Sequence, residues 1–188
     1  MDVLEEMFGS FEVSALRVET LPVYHIEGGE WEEFQHYKEG IPTADSRHRA
    51  WIEDVRAWTR SGKEIKRIRV IPPTLAEYLR YELDWCFPQN WLAGEIIKAV
   101  SQRTYEQLVT AETKGDFWIF DQKHVLKMEY DKEGRYLGEN LVSDPPLVDS
   151  HTTLFLELEQ KSIAYTEVIR QIREAKLKVE LEYGTNHQ

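Results

Sequence analysis

At 188 residues the chain is long enough to bury one sizeable core, and an apolar share of 41% beside 30% charged residues excludes wholesale disorder. A formal charge of −11 repels phosphate backbones and anionic lipid surfaces, so neither nucleic acid nor a membrane is an expected partner. One cysteine excludes a disulfide framework and a multi-thiolate metal centre and fits the cytoplasm, and the acidic first 20 residues predict neither a signal peptide nor a membrane span.

In chain order, Pro22 to Ile26 read as extended, being aromatic and β-branched, with Gly28-Gly29 as the stop. A short helix is predicted from Glu30 to Lys38. Thr43 or Asp45 is the predicted cap of a second helix, in which Trp51, Val55 and Trp58 fall on one face opposite Glu53, Arg56 and Arg60 and Ser61-Gly62 ends the run. Lys63 to Ile71 alternates as a strand should: Ile68 and Val70 face one side, and Ile65, Arg67, Arg69 and Ile71 the other. Pro72-Pro73 closes it. Thr74 to Glu77 has the form of a capping box opening a helix with the stripe Leu75, Leu79, Leu83 and Cys86.

Beyond Pro88 the pattern reads as irregular, with a short strand at Glu95 to Val100 and helix around Tyr105 to Val109. From Asp116 three strands form a meander, DFWIFD, HVLKMEYD and RYLGENLV, and Asp131 to Gly134 suit a type I turn. Asp144-Pro145-Pro146 separates that sheet from a final amphipathic helix, Thr152 to Leu181, carrying Leu158, Tyr165, Ile169, Ile172 and Val179; Gly184 to Gln188 read as a polar tail. The expected fold is therefore α/β or α+β: a single mixed sheet with a C-terminal antiparallel meander, helices packed on it, and a long C-terminal amphipathic helix. Residues 1–145 form the mixed body, and residues 146–188 pack on it or on a partner.

Four groups of residues invite chemistry. Arg67 and Arg69 share a strand face, so their planar forks can hold a carboxylate or phosphate, although Glu77, Glu82, Asp84 and Glu95 are near enough to pair with them instead. Glu82 sits at the edge of an apolar helix stripe, where desolvation raises a carboxyl pKa and suits it to proton transfer; pairing with arginine is the plainer reading. His124 resembles the nucleophile of phosphodiesterase strands, but such strands carry a lysine two residues on, and here that position is Leu126, with Lys127 facing away. The other histidines show no i, i+4 pair and no H-E-x-x-H, so no metal and no cofactor are expected, and Cys86 reads as a small core hydrophobe.

The order R-x-E…P-x-Y (Arg17, Glu19, Pro22, Tyr24), R-x-R-V (Arg67 to Val70), Y-x-R-x-E (Tyr78, Arg80, Glu82), A-G-E (Ala93 to Glu95) and D-F-W-x-F-D…Y-D-x-x-G (Asp116 to Gly134) resembles a family of actinobacterial proteins of unknown function, over about residues 10–145. Its members often accompany helix-turn-helix regulators, so the resemblance implies a regulatory or accessory role with such a regulator as partner. At the fold level the helix, strand, helix and late meander are also similar to half of a phospholipase D-like domain. That similarity implies a surface lined by Arg69, Tyr78, Arg80, Glu82, Glu95 and Asp116. The expectation is a non-catalytic cytoplasmic interaction protein whose polar–aromatic cleft takes a small acidic ligand or a partner protein, with a homodimer compatible. The alternative is an enzyme on a phosphate- or carboxylate-bearing substrate, with Arg67, Arg69 or Arg80 holding the anion and Glu82 or His124 moving protons.

Overall fold

The structure, a computed structural model, describes residues 3–41 and 46–183, with the side chains of 46, 47 and 175–183 left aside. The predicted caps Thr43 and Asp45, the tail from Gly184 and the side chain of Val179 lie outside the described residues. The chain runs α1 (Val3–Ser10), β1 (Ser14–Glu19), α2 (Gly29–Lys38), α3 (Ser46–Arg60), β2 (Glu64–Ile71) and α4 (Glu77–Tyr81), then a π-helical turn (Glu82–Cys86) leading into α5 (Phe87–Ala93). It continues through β3 (Ile96–Ser101), α6 (Gln102–Leu108), β4 (Asp116–Phe120), β5 (His124–Tyr130), β6 (Tyr136–Val142), α7 (Pro145–Lys161), β7 (Ile163–Ala164) and α8 (Tyr165–Tyr183).

Among the described residues one mixed sheet holds the seven strands in the order β6-β5-β4-β1-β2-β3-β7. β1, β2 and β3 are parallel, the meander β4-β5-β6 is antiparallel and joins at β1, and β7 closes the other edge antiparallel to β3. The fold is thus α+β with a mixed sheet and the expected meander, whose turn is closed by Gly134 N–H donating to Asp131 O at 3.0 Å.

The strand alternation gives the sheet two unlike faces. On one, Leu16, Val18, Ile68, Val70, Val100, Phe117, Ile119 and Val125 pack beneath Tyr105 of α6 and Val148, Leu154, Phe155 and Leu158 of α7. Burying each large side chain of this kind stabilises the fold by roughly 1.5–3 kcal/mol. On the other, Ala15, Ile65, Trp118, Phe120 and Leu126 meet α1 and the indoles Trp51 and Trp58 of α3, while Ile97 and Ala99 meet Leu79, Leu83 and Phe87 and the start of α8. Between those two apolar patches lies a polar middle, where the site forms.

Four expectations are corrected. Pro22 to Ile26 is an irregular loop held to the meander turn by His25 N–H to Gly134 O at 3.0 Å, and the strand lies earlier, at Ser14–Glu19. β1 is buried along its whole length as the centre of the sheet, so its mixed polarity gives no simple alternation. The capping box does not form: α4 is capped at Ala76 with no side-chain hydrogen bond. Pro88 does not end the helix: the helical path runs on from α4 through the π-turn, whose wider i to i−5 bonding, Phe87 N–H to Glu82 O, lies immediately before the proline. Finally, the single helix Thr152 to Leu181 is two helices, α7 and α8, parted at Ser162–Ala164 where the chain adds β7 to the sheet edge.

Candidate functional site

The register of the central strands builds the polar middle. Arg17 of β1 lies beside Arg67 of β2, and Glu19 beside Arg69, so two R-x-[E/R] pairs project from adjacent strands to the same face. Asp116 opens β4 on the other flank of β1, Glu95 precedes β3, and the π-turn carries Glu82 over the sheet. Arg69 is fully buried and donates through Nε and Nη2 to one oxygen of Glu82, at 3.1 and 2.8 Å. Arg67 donates through Nε to Glu95 and through Nη1 to Glu19, both at 2.7 Å. Arg17 Nη2 donates to Asp116 at 3.1 Å, and its guanidinium lies 5.4 Å from the Trp118 ring centre.

Asp116 is the most heavily bonded of the carboxylates. Besides Arg17 it accepts from Thr20 N–H at 2.8 Å, from the Thr20 hydroxyl at 2.6 Å, and from the Tyr24 hydroxyl. The Tyr24 ring in turn lies 5.3 Å from the Arg69 guanidinium carbon, so one tyrosine links the Arg69–Glu82 pair to the Arg17–Asp116 pair.

Burial sets the protonation of these groups, and partners decide which way each goes. Desolvation opposes the Glu19 charge, yet Arg67, Arg17 and Arg69 outweigh it and hold the carboxyl down at about 2. For Glu82 the balance is reversed: burial lifts it above the ordinary carboxyl range in spite of Arg69. Burial, reinforced by Asp116, also pushes the Tyr24 hydroxyl well above its usual value, so Tyr24 stays a neutral donor.

Above this network lies a cavity of about 450 Å³, bordered by Arg17, Glu19, Arg67 and Glu82 on the sheet side and by Tyr24, Tyr78, Tyr81, Phe87, Trp118, Tyr130 and Tyr136 as aromatic walls. Its far wall carries Glu33 of α2, His48 of α3, Cys86 at the end of the π-turn and Asn90 of α5. Among the described residues, five buried atoms of the charge network have no hydrogen-bond partner: Nε of Arg17, which lies 3.4 Å from Glu19 Oε1, Nη1 of Arg17, Oε2 of Glu19, Nη1 of Arg69 and Oε2 of Glu95.

Of the residues singled out from sequence, Arg67, Arg69, Glu82, Glu95 and Asp116 share this network, and Tyr78 walls the cavity. Arg80 is exposed and does not border it. His124 opens β5, at the opposite end of the β4–β5 hairpin from Asp116, and pairs with the Ser143 hydroxyl at 2.8 Å. Arg17, Glu19, Thr20, Tyr24 and Tyr130 complete the site. Arg17 and Glu19 carry the signal that would have found them, since two charged residues two apart repeat the Arg67, Arg69 spacing. Tyr24 and Tyr130 stand in the P-x-Y and Y-D-x-x-G motifs of the family resemblance, but no local pattern assigns them to the site, where loop path and register place them. Among the described residues no helix is long and apolar enough to cross a membrane.

No curated protein matches the chain. The model of one family, described as a domain of unknown function (DUF6879), matches residues 2–170, and the chain belongs to that family.

Proposed function

We propose that this is a non-catalytic binding protein of regulatory or accessory role, whose aromatic cavity takes a small acidic ligand. The observation that carries the reading is the state of its arginines. All three arginines are engaged by carboxylates, Arg67 by Glu19 and Glu95, Arg69 by Glu82, and Arg17 by Asp116 with its Nε 3.4 Å from Glu19; of the three, Arg17 both borders the cavity and keeps a buried Nη1 with no hydrogen-bond acceptor. Leaving a buried donor dry costs about 1–3 kcal/mol, so a carboxylate or phosphate oxygen reaching Arg17 gains most where water does not reach. The Glu19 Oε2 beside it lacks a donor, which favours a ligand that also carries a hydroxyl or ammonium group.

The hydrolase alternative draws no comparable support. Its proton carrier Glu82 is spent on Arg69, and its nucleophile His124 stands at the far end of the hairpin.

The test is a thermal-shift screen of the whole chain against small carboxylates and phosphates. A ligand at about 100 times its Kd stabilises the folded form by about 2.7 kcal/mol, a rise of several degrees. The rise should vanish in Arg17→Met, with circular dichroism showing that variant folded. A shift that survives Arg17→Met, or no shift with any acidic compound, overturns the reading.

A further inference from the structure

We propose that Glu33, His48 and Cys86 form a mononuclear site for a divalent transition-metal ion of the zinc class, with an open coordination position facing the cavity. Three different elements supply the donors, one carboxylate oxygen, one imidazole nitrogen and one sulfur, and these atoms lie within 4.8 Å of one another. All three residues border the cavity. A thiolate with an imidazole selects zinc-like ions over magnesium or calcium, which take oxygen ligands. Three protein ligands with the fourth position left open is the pattern of zinc sites that exchange a ligand.

The distances suit such an ion. Zinc bonds of about 2.0–2.2 Å to nitrogen and oxygen at a tetrahedral angle put those two atoms roughly 3.4 Å apart. His48 Nδ1 and Glu33 Oε1 are 3.2 Å apart. Sulfur sits about 3.6 Å from its neighbours in a formed site, so with all three atoms already within 4.8 Å of one another loading asks the Cys86 side chain to move by at most about an ångström.

The surrounding hydrogen bonds point the same way. Asn90 Oδ1 lies 3.3 Å from His48 Nε2, and because an amide oxygen only accepts, Nε2 carries the hydrogen. Nδ1 faces the Glu33 carboxylate, a contact that an imidazolium makes by donating its proton and that a bound cation makes by taking that proton's place. Ligating histidines commonly donate their second N–H to a carbonyl in this way, and ligating carboxylates are themselves held, as Trp85 Nε1–H holds Glu33 Oε1 at 2.5 Å. Burial keeps the Cys86 thiol protonated in the absence of metal, which leaves it a poor free nucleophile. On loading, the S–H bond breaks, the sulfur–metal bond forms, and the proton leaves to solvent.

The reading departs from the sequence expectation of no metal, which tested for paired ligands close in the chain; here they are 15 and 38 residues apart. The test is a Co2+ titration of the full chain, stripped of metal by a chelator and kept reduced. A near-ultraviolet thiolate-to-cobalt absorption should grow to saturation at one equivalent, with the visible bands of four-coordinate cobalt, and zinc should displace both. Cys86 is the chain's single cysteine, so such a band reports this site alone. His48→Gln, shown folded by circular dichroism, should weaken the affinity roughly 10-fold or more. A folded wild-type chain that develops no thiolate band overturns the proposal, as does a His48→Gln variant with unchanged affinity.

Discussion

The two faces of the sheet are made by the same strands and stabilised by different physics. Under α6 and α7 the buried centre of the face is aliphatic and aromatic and held by water exclusion, with charge confined to its margin, where Lys66 and Lys98 meet Glu159 of α7. Under α2 and the π-turn, alternate positions of β1 and β2 carry Arg17, Glu19, Arg67 and Arg69, and each buried charge must be neutralised by a particular partner. Desolvating an ion costs several kcal/mol, and apolar replacements of buried ion pairs are often neutral or stabilising. The polar middle therefore adds little net stability over a greasy one; what it provides is a rigid array of donors and acceptors under a cavity.

The sharpest way to break this contrast is to remove one charge. Arg69→Met strands the Glu82 carboxylate, which accepts both of its bonds on one oxygen, and should cost about 3–5 kcal/mol in urea unfolding. The double variant Arg69→Met/Glu82→Leu should recover most of that loss, because no orphaned charge remains. A double variant as unstable as the single would show that shape, not charge, governs this face. On the apolar face the matching change, Leu158→Ala, should cost about 2–5 kcal/mol through the cavity it leaves, at a residue with no exposed surface.

Acid distinguishes the faces next. Glu19 titrates near 2 in the folded chain against an ordinary value of 4.5, so its contribution is complete above 4.5 and is lost as the pH falls toward 2. That contribution is on the order of 3 kcal/mol. Glu82 works in the opposite sense: held high by burial, it favours the fold below about 4.5 and loses that contribution as the pH rises through its raised value. Unfolding midpoints measured from pH 6 down to 2.5 should fall, and Glu19→Gln should flatten the fall. An unchanged slope in that variant would remove Glu19 from the acid transition.

How much of this was legible in the sequence follows the same division. The strand Lys63 to Ile71 announced itself through alternation, and its two arginines project as the period of two requires. The meander and its Asp131 to Gly134 turn were legible for the same reason, since local backbone rules set them. β1 was not: a strand buried on both faces, with an arginine and a glutamate held by partners 48 to 99 residues away, offers no local apolar pattern. Glu33, His48 and Cys86 were illegible as a set, because only the stacking of α2, α3 and the π-turn brings them together. Tyr24 came out on a loop where a strand was expected, and its place beside Asp116 depends on what holds that loop.

What holds it is Gly134. This glycine sits at φ +79°, and a Cβ there would come within 2.6 Å of Val23 O and 3.2 Å of His25 N, backbone atoms on either side of Tyr24. Gly134→Ala therefore combines a left-handed backbone with a clash that cannot be relieved by a rotamer, a cost of about 1–3 kcal/mol. Because the loop must move away from the turn, the Tyr24 hydroxyl should part from Asp116 while the apolar face stays intact. The expected signature is a modest drop in the unfolding midpoint together with a change in tyrosine near-ultraviolet dichroism and faster hydrogen exchange at Thr20 N–H, which donates to Asp116. A Gly134→Ala protein as stable as its parent, with Thr20 still protected, would show that the aromatic wall of the cavity stands without the turn beneath it.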